Sequence, residues 1–396
     1  MNGVNGFPAS YPYLRIGYLA APGRGERPWL LEGIGTPVVL EQADLPDVLK
    51  RGLDLVLVES SGLDSVESLD TLIACEGAGI PTVLHALQVP DLGSSIAAVA
   101  SHIVTTDPAV HRAALTQVGA ERALLVKPVV DPRAVLMSGA DSTDCLTPEA
   151  VTERRNVIEE QSPKAQADAL AAFLCFTVEP PPLVTAIVVS RKAENLDSTL
   201  ANLKRQRYPR IDVLLTIDPL YEQAAREATV NWDVPLRIVT AQPGSTLADR
   251  LNLGVHYAHG ELVTMIEENA LYGSHHLTDL VQALQYTGAR LVGKASWHVY
   301  DEAKRDMVIR APGLQRSYGE TPALGTMMLR REIAQHFGFT RRASGINWPL
   351  AERLADTADA LYSIHAYDTV LLRKGQTLDK LSTGARHSSA FPFQQL

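Results

Sequence analysis

Short apolar runs alternate with amphipathic segments along the first third of the chain. The apolar runs are rich in Val, Ile and Leu, as is typical of strands buried on both faces of a parallel sheet. They predict strands over Leu14–Ala20, Pro37–Glu41, Leu53–Glu59, Pro81–Leu87, His102–Thr106 and Ala123–Val129. Helices are predicted between them over Leu45–Arg51, Val66–Gly77 and Pro108–Gly119. Asp107 is the expected N-cap of the third helix and Gly119 its stop. This alternation favours an open, doubly wound α/β domain.

A proline-rich break predicts the start of a second domain. Residues Thr147–Ala172 have the composition of a helix. The sequence Glu-Pro-Pro-Pro at 179–182 then interrupts any helix, because proline has no backbone N–H to donate. We therefore predict a Rossmann-like domain over 1–146, a helical linker over 147–182 and a second α/β domain over 183–396.

The second half of the chain restarts the alternation and then loosens. Strands are predicted over Val184–Ser190, Ile211–Ile217, Leu236–Thr240, Leu262–Ile266 and Arg290–Gly293. Helices are predicted over Leu196–Arg207, Leu247–His259 and Leu277–Thr287. An α+β segment is expected after the last of these strands, and the residues from about Gln376 onwards are expected to form an irregular tail.

Composition and charge exclude several classes of protein. The chain has 396 residues, of which 46% are apolar and 20% charged, which suits a large folded core and not a disordered chain. Its 36 basic and 45 acidic residues give a net charge of −9 without a basic run, so nucleic acid is not an expected partner. We expect no membrane span and, since no signal-peptide pattern opens the chain, a cytoplasmic protein. A homo-oligomer is compatible with the sequence.

Polar residues follow two of the predicted strands in the second half. Ser190 and Arg191 lie at the carboxyl end of the first of these strands, and Glu267, Glu268 and Asn269 follow the fourth. Ligands of open α/β sheets bind outside the carboxyl ends of the strands, so both groups are expected to face one crevice. Adjacent carboxylates suit a hard divalent cation. From spacing alone, the favoured interpretation of Glu267, Glu268 and Asn269 is a solvated turn. The sequence motifs around them favour a metal site instead.

Two blocks of sequence carry family motifs in order. The first is AIVVSRKAENLDSTLANLKRQRYPRIDVLLTID, in which a strand, a polar loop, a helix and a Gln-Arg-Tyr-Pro turn lead to a second strand that ends at Asp218. The second is STLADRLNLGVHYAHGELVTMIEENALYGSHHLTDLVQAL, with Asn252 and Gly254 on a helix and an acidic DxD-type group after the next strand. Over roughly 184–375 the chain resembles family 2 glycosyltransferases, which have a GT-A fold.

The resemblance implies a site for a nucleotide sugar. Val189, Ser190 and Arg191 would line the base and ribose pocket, with Asp218 as the acid that contacts the base, and Asn252 lies in the nucleotide-sugar segment. The residues that would hold Mg²⁺ or Mn²⁺ and the diphosphate are Glu267, Glu268 and, as a weaker neutral ligand, Asn269. Lys294 follows a predicted strand, where it would either neutralise phosphate or form a structural ion pair.

Two departures from the family pattern bear on catalysis. The metal motif normally carries aspartates and here reads Glu-Glu-Asn, and Asn347 stands where the family places its general base. An amide cannot take the proton of an acceptor hydroxyl, and losing a general base costs about 10²–10⁴-fold in rate. Glu268 and Asn347 are therefore the positions on which catalysis would depend.

The N-terminal half has a fainter resemblance of its own. The segments LDLVLVES, GIPTVLHAL and SHIVTTDPAVHRAALTQVGAERALLVKPVVDP resemble the N-terminal Rossmann-like domain of spore-maturation-type glycosyltransferases. Because that family splits its catalytic machinery between two such halves and only one is visible, residues 14–140 are expected to be a non-catalytic scaffold or an acceptor-binding domain.

The fold class expected for the whole chain is α/β, with two Rossmann-like domains of which the C-terminal one is a GT-A nucleotide-sugar-binding fold. The resemblance implies an inverting glycosyltransferase of the hexosyltransferase type. Its donor would be a nucleotide-diphosphate sugar, with UDP as the expected nucleotide, and its acceptor an unidentified small molecule or glycan. The departures keep a catalytically degenerate binding or accessory protein as the alternative, and a small-molecule-binding protein made of two Rossmann-like halves as a third class.

Overall fold

The structure, a computed structural model, divides the chain into two units. One consists of Met1–Val135 and Asn156–Glu179, the other of Leu136–Arg155 and Pro180–Leu396. The residues predicted to form a linker are thus shared between the units, and the domain limits predicted from sequence stay predictions. The residues that the structure describes are 13–19, 35–40, 45–59, 66–133, 148–190, 195–230, 232–301, 305–340, 353–354, 359–373 and 385–387.

The N-terminal unit is built on a parallel sheet. Its strands are β1 (Arg15–Leu19), β2 (Thr36–Val39), β3 (Leu55–Glu59), β4 (Thr82–His85), β5 (His102–Thr105) and β6 (Ala123–Leu125). They stand in the order β2-β1-β3-β4-β5-β6 with every pair parallel. Each strand falls within or next to an apolar run of the sequence.

Both faces of this sheet are buried, which explains why the apolar runs are unbroken. Leu55 and Leu57 of β3 pack in one core cluster and Val56 and Val58 in another.

The helices described in this part of the chain are α1 (Leu45–Arg51), α2 (Val66–Gly77), α3 (Ser95–Val99), α4 (Pro108–Val118), α5 (Pro148–Gln161) and α6 (Pro163–Phe173). The N-cap predicted at Asp107 is confirmed, because its carboxylate accepts the N–H groups of Ala109 and Val110.

The single helix predicted over Thr147–Ala172 is wrong in one respect, because two helices occupy that stretch. Pro163 cannot donate the backbone hydrogen bond that would continue α5. The Ser162 hydroxyl instead accepts the Ala165 N–H at 3.2 Å and caps a new helix, α6. Proline at the first position of that helix is well placed, because its missing N–H would have had no partner there.

The C-terminal unit has a larger, mixed sheet. Its strands are β7 (Val184–Val189), β8 (Ile211–Ile217), β9 (Leu236–Thr240), β10 (Leu262–Ile266), β12 (Leu291–Gly293), β15 (Ser317–Tyr318), β16 (Met328–Arg330) and β17 (Leu361–Ser363). Their order is β15-β17-β12-β16-β10-β7-β8-β9. Strands β9, β8, β7 and β10 are mutually parallel, and β16 runs antiparallel to its neighbours β10 and β12. The carboxyl ends of β7, β8, β10 and β12 therefore meet at one edge.

A smaller sheet and five helices complete the described part of this unit. The strands are β11 (Ala270–Tyr272), β13 (Trp297–Asp301), β14 (Asp306–Arg310), β18 (Thr369–Arg373) and β19 (Ala385–His387), in the order β11-β18-β13-β14-β19. The helices are α7 (Leu196–Lys204), α8 (Glu222–Ala228), α9 (Leu247–Tyr257), α10 (His276–Thr287) and α11 (Arg331–Phe337). The prediction of an irregular tail from about Gln376 onwards is wrong for β19. This strand pairs antiparallel with β14, and its own sequence has no apolar pattern that would indicate a strand.

The predicted class is confirmed in its general form, since each unit is α/β and has a parallel, Rossmann-like set of strands. Among the described residues, no helix combines the length and the apolar character needed to cross a bilayer.

Helix α9 packs on β7 at a distance that only glycine permits. A Cβ added at Gly254 would lie 2.5 Å from Cγ2 of Ile187, a fully buried side chain in the middle of the strand. Since Ile187 is branched at that point and enclosed on all sides, it cannot move aside without disturbing the core. Gly254 thus sets how close α9 approaches the sheet edge described below.

We expect Gly254→Ala to lower the free energy of unfolding by about 1–3 kcal/mol, because the added methyl overpacks the contact with Ile187. The matched control is Gly77→Ala, also in a helix, where an added Cβ meets nothing within 4 Å. The control should be neutral or slightly stabilising, since alanine favours helix. Urea and thermal unfolding followed by circular dichroism measure both, and equal effects of the two variants would contradict the close-packing argument.

Candidate functional site

The parallel strands of the C-terminal unit bring several of the predicted site residues to one edge. Strand β7 lies between β8 and β10, with Val189 opposite Thr216 on one side and Val188 opposite Ile266 on the other. In this register the residues that follow the three strands are neighbours. They are Ser190 after β7, Asp218 after β8, and Glu267 and Glu268 after β10.

A chain of hydrogen bonds joins three of these residues through an arginine of α9. The Ser190 hydroxyl donates to Oε1 of Glu268 at 2.6 Å. Arg250 donates through Nη1 to the Ser190 carbonyl at 3.3 Å and through Nη2 to Oδ2 of Asp218 at 3.0 Å. The other oxygen of Asp218 accepts the Leu220 N–H at 3.2 Å and caps a short 3₁₀ turn. The strand ends are thus linked from Asp218 to Glu268.

An open cleft of ≈ 410 Å³ lies beside this chain. Its lining residues are Asp218, Leu220, Tyr221, Ser245, Leu247 and Arg250. Arg250 is 9% exposed, and its Nε has no hydrogen-bond partner among the described residues. A guanidinium and a carboxylate that line the same cleft make it suited to a ligand that offers both acceptors and donors.

Arg250 is not among the residues predicted from sequence to form the site, although its position in α9 carries a signal. The buried positions of α9 are Arg250, Leu251, Gly254 and Val255, which is the spacing of a helix face turned to the core. A charged residue on that face needs a specific partner when it is buried. Its partner, Asp218, lies on another strand and could not be identified from spacing.

Glu267 is held by a different set of contacts. Its Oε1 accepts the Gly325 N–H at 3.2 Å. The Tyr272 hydroxyl accepts the Glu267 N–H at 3.0 Å and donates to the Gly325 carbonyl at 2.7 Å. Burial raises the pKa of Tyr272, so its hydroxyl stays protonated and able to donate. A Cβ at Gly325 would lie 2.7 Å from Cγ of Glu267, so only glycine fits here.

The acidic group meets part of what a hard divalent cation requires. Glu267 and Glu268 are half-buried and Asn269 is exposed. Among the described residues, no group of three or more His, Cys, Asp or Glu side chains is arranged to hold a metal ion. Mg²⁺ commonly binds one or two carboxylates and completes its shell with water and substrate phosphates. The carboxylates present fit that kind of site and do not form an all-protein cage.

Two other predicted pocket residues make contacts within the protein, and their roles in nucleotide-sugar binding stay predictions. The side-chain amide of Asn252 donates to the Phe339 carbonyl at 2.8 Å and accepts the Phe339 N–H at 2.7 Å. Val189 is half-buried and packs against the core beneath α9. The positions of Arg191 and Asn347 lie outside the described residues.

Lys294 follows β12 at the same edge but is fully buried. Its ammonium donates to the His365 carbonyl at 3.0 Å and the Tyr367 carbonyl at 2.6 Å. Burial lowers the pKa of Lys294 to about 8. The two carbonyl contacts favour a structural role, and a role in phosphate neutralisation stays a prediction.

A buried network of charges surrounds this lysine. Arg155 donates to both oxygens of Asp279, at 2.7 and 2.8 Å, and to Oδ2 of Asp368 at 2.9 Å. His365 Nε2 lies 2.9 Å from Oδ2 of Asp279. Burial raises the pKa of Asp368 to about 6 and lowers that of His365 to about 3. Burial alone would raise the pKa of Asp279, but Arg155 and His365 hold it well below its usual range.

Comparison with known proteins gives structural neighbours only. No protein-family model and no curated protein sequence matches the chain. Among solved structures, it is similar to a mannosyltransferase, PcManGT of Pyrobaculum calidifontis, in complex with GDP-Man and Mn²⁺, with 19% identity, a TM-score of 0.39, and 49% of this chain and 57% of that chain covered. S. aureus TarS 1-349 in complex with UDP-GlcNAc gives 14% identity, a TM-score of 0.39, and coverages of 51% and 61%. The chain thus spans about three-fifths of the length of these structures.

We expect Arg155→Met to lower the free energy of unfolding by about 3–5 kcal/mol, because it leaves two largely buried carboxylates without their guanidinium. The matched control is Arg226→Met, which removes an exposed i,i+4 pair with Glu222 and should cost about 0–1 kcal/mol. Urea unfolding measures the difference. A cost for Arg155→Met no larger than that of the control would contradict the importance assigned to the network.

We also expect the free energy of unfolding to fall in mild acid because of His298, a buried residue of β13. Burial lowers the pKa of this side chain to about 4, so the unfolded chain takes up a proton near pH 6.5 and the folded protein does not. The stability that neutral His298 contributes is present above pH 6.5 and is lost as the pH falls towards about 4, at up to about 1.4 kcal/mol per pH unit.

The measurement for His298 is the unfolding free energy of wild type and of His298→Asn between pH 7 and 5. The variant should show the shallower fall. The difference between the two proteins is the relevant quantity, because Asp368, with its raised pKa, acts in the opposite direction as the pH falls through 6. Parallel curves for the two proteins would show that His298 does not titrate as described.

Proposed function

We propose that the C-terminal unit is a GT-A-type glycosyltransferase domain that binds a nucleotide-diphosphate sugar at the carboxyl edge of its main sheet, with UDP as the nucleotide. The observation that carries the proposal is the chain of contacts from Asp218 through Arg250 and Ser190 to Glu268 beside an open cleft. It links a carboxylate and a guanidinium beside the cleft to the carboxylate of Glu268, whose sequence neighbour Glu267 is held separately by Gly325. Such a ligand has matching groups at both ends.

The nucleoside end of the ligand would lie in the cleft. A uracil ring offers an N–H that a carboxylate can accept and carbonyl oxygens to which a guanidinium can donate. Asp218 and Arg250 line the cleft together and supply both kinds of group. Arg250 lines the cleft with its guanidinium held by Asp218.

The diphosphate end would lie at Glu267 and Glu268. These residues would hold Mg²⁺ or Mn²⁺, which when bound neutralises the charge that develops on the departing diphosphate. Glu267 is fixed by Gly325 and Glu268 by Ser190, so both carboxylates are oriented before a ligand arrives. Orientation of this kind lowers the reorganisation needed in the transition state.

Transfer with inversion requires a base as well as a donor site. The acceptor oxygen attacks the anomeric carbon, the bond from that carbon to the diphosphate oxygen breaks, and the hydroxyl proton must pass to a basic group. Asn347, at the position where the resemblance places that group, carries an amide that cannot accept it. This substitution favours the second candidate function, a protein that binds the donor without transferring the sugar.

We expect wild type to bind UDP more tightly with Mn²⁺ than without it, and Glu268→Ala to lose about 10-fold or more of that metal-dependent affinity. The matched control is Glu261→Ala. Glu261 precedes the same strand, β10, and its exposed carboxylate accepts the Leu183 N–H at the opposite edge. Isothermal titration calorimetry with UDP, in Mn²⁺ and in EDTA, measures the affinities.

Release of UDP from a UDP-sugar separates the two candidate functions. Turnover that falls about 10²-fold in Glu268→Ala supports a transferase. Tight, metal-dependent UDP binding without turnover supports the donor-binding alternative. A wild-type protein that binds no UDP in either buffer would rule out both.

A further inference from the structure

Every polar group of Ser190 is already used within the protein. Its N–H donates to the Thr216 carbonyl at 3.0 Å, its carbonyl accepts from Arg250, and its hydroxyl donates to Glu268. The residue is 1% exposed. A side chain so enclosed has no surface to offer a nucleotide, so the pocket-lining role expected from sequence does not account for its position.

The Ser190 hydroxyl instead binds the side chain of Glu268, which is longer than the aspartate that the family normally carries in its metal motif. A glutamate has one more rotatable bond than an aspartate and loses more conformational freedom when its carboxylate is fixed. The 2.6 Å hydrogen bond from Ser190 restricts that freedom at Glu268 before any ligand binds. Hydrogen bonds from a second residue to a metal-binding carboxylate typically change metal affinity by about 10–100-fold.

The backbone of Ser190 adds a second constraint. Arg250 holds the Ser190 carbonyl with one nitrogen and Asp218 with another, so the position of the hydroxyl depends on the same guanidinium that lines the cleft. Arg250, which lines the cleft, thus helps to position Ser190, and the Ser190 hydroxyl in turn positions the Glu268 carboxylate.

We propose that Ser190 is a positioning residue that holds the Glu268 carboxylate for the cation and diphosphate of the donor. This inference rests on the proposed function of the same edge. Ser190 itself makes no contact with the ligand. Its effect is transmitted through Glu268 and is therefore seen only when the cation is present.

The experiment compares Ser190→Ala with wild type by calorimetry with UDP, in Mn²⁺ and in EDTA. We expect about 10-fold weaker UDP binding in Mn²⁺ and a change of less than about twofold in EDTA. The matched control is Ser198→Ala, an exposed serine of α7 whose hydroxyl donates to the Asn195 carbonyl, and it should match wild type in both buffers. Circular dichroism at the assay temperature confirms that each variant is folded.

A second measurement separates a positioning role from a direct contact. The electron paramagnetic resonance signal of free Mn²⁺, titrated with protein and UDP, reports metal affinity without turnover. Ser190→Ala should weaken Mn²⁺ binding in the wild-type background and have no further effect in the Glu268→Gln background. The same loss in both backgrounds would overturn the inference.

Failure of this inference and failure of the proposed function give different results. Normal wild-type binding together with an equal loss of UDP affinity in Mn²⁺ and EDTA for Ser190→Ala overturns the positioning role alone. Unchanged binding by Ser190→Ala in Mn²⁺ does the same. A wild-type protein that binds no UDP overturns the proposed function and the inference with it.

Discussion

The parallel pairing of β8, β7 and β10 is the constraint on which the candidate site depends. The three strands end together, so residues far apart in sequence become neighbours without any further folding of the loops. Ser190, Asp218 and Glu268 owe their proximity to this register. A shift of one strand by a single residue would turn its side chains to the opposite face and separate the carboxylates from the guanidinium.

Two groups of charged residues in the C-terminal unit differ in how far they are enclosed by the protein. Arg250 and Asp218 border a cleft, and Arg250 keeps a donor that nothing in the described protein satisfies. Around Lys294 and Asp279, by contrast, charges are enclosed and answered by close partners. Because Nδ1 of His365 in the enclosed network also lacks a partner among the described residues, it is the open cleft beside Arg250, and not an unmet hydrogen bond, that distinguishes the first group. The first group is therefore the candidate site.

The sequence predicted most of the framework and part of the site. Buried parallel strands have unbroken apolar runs, and caps such as Asp107 depend on local chemistry, so both could be predicted from neighbouring residues. The helix break at Ser162 and Pro163 also depends on local chemistry, since a serine that can cap a helix precedes a proline there. What sequence could not supply are contacts across the fold. The burial of Lys294 and the pairing of Asn252 with Phe339 depend on segments that only the tertiary structure brings near.

Arg155 has a consequence for how the C-terminal unit can be studied in isolation. The triple proline is the obvious place to cut the chain, yet the guanidinium that neutralises Asp279 and Asp368 lies upstream of it, on α5. A recombinant fragment that begins after the prolines would leave its own interior with unbalanced negative charge. A fragment intended to keep these charges balanced must therefore include Arg155.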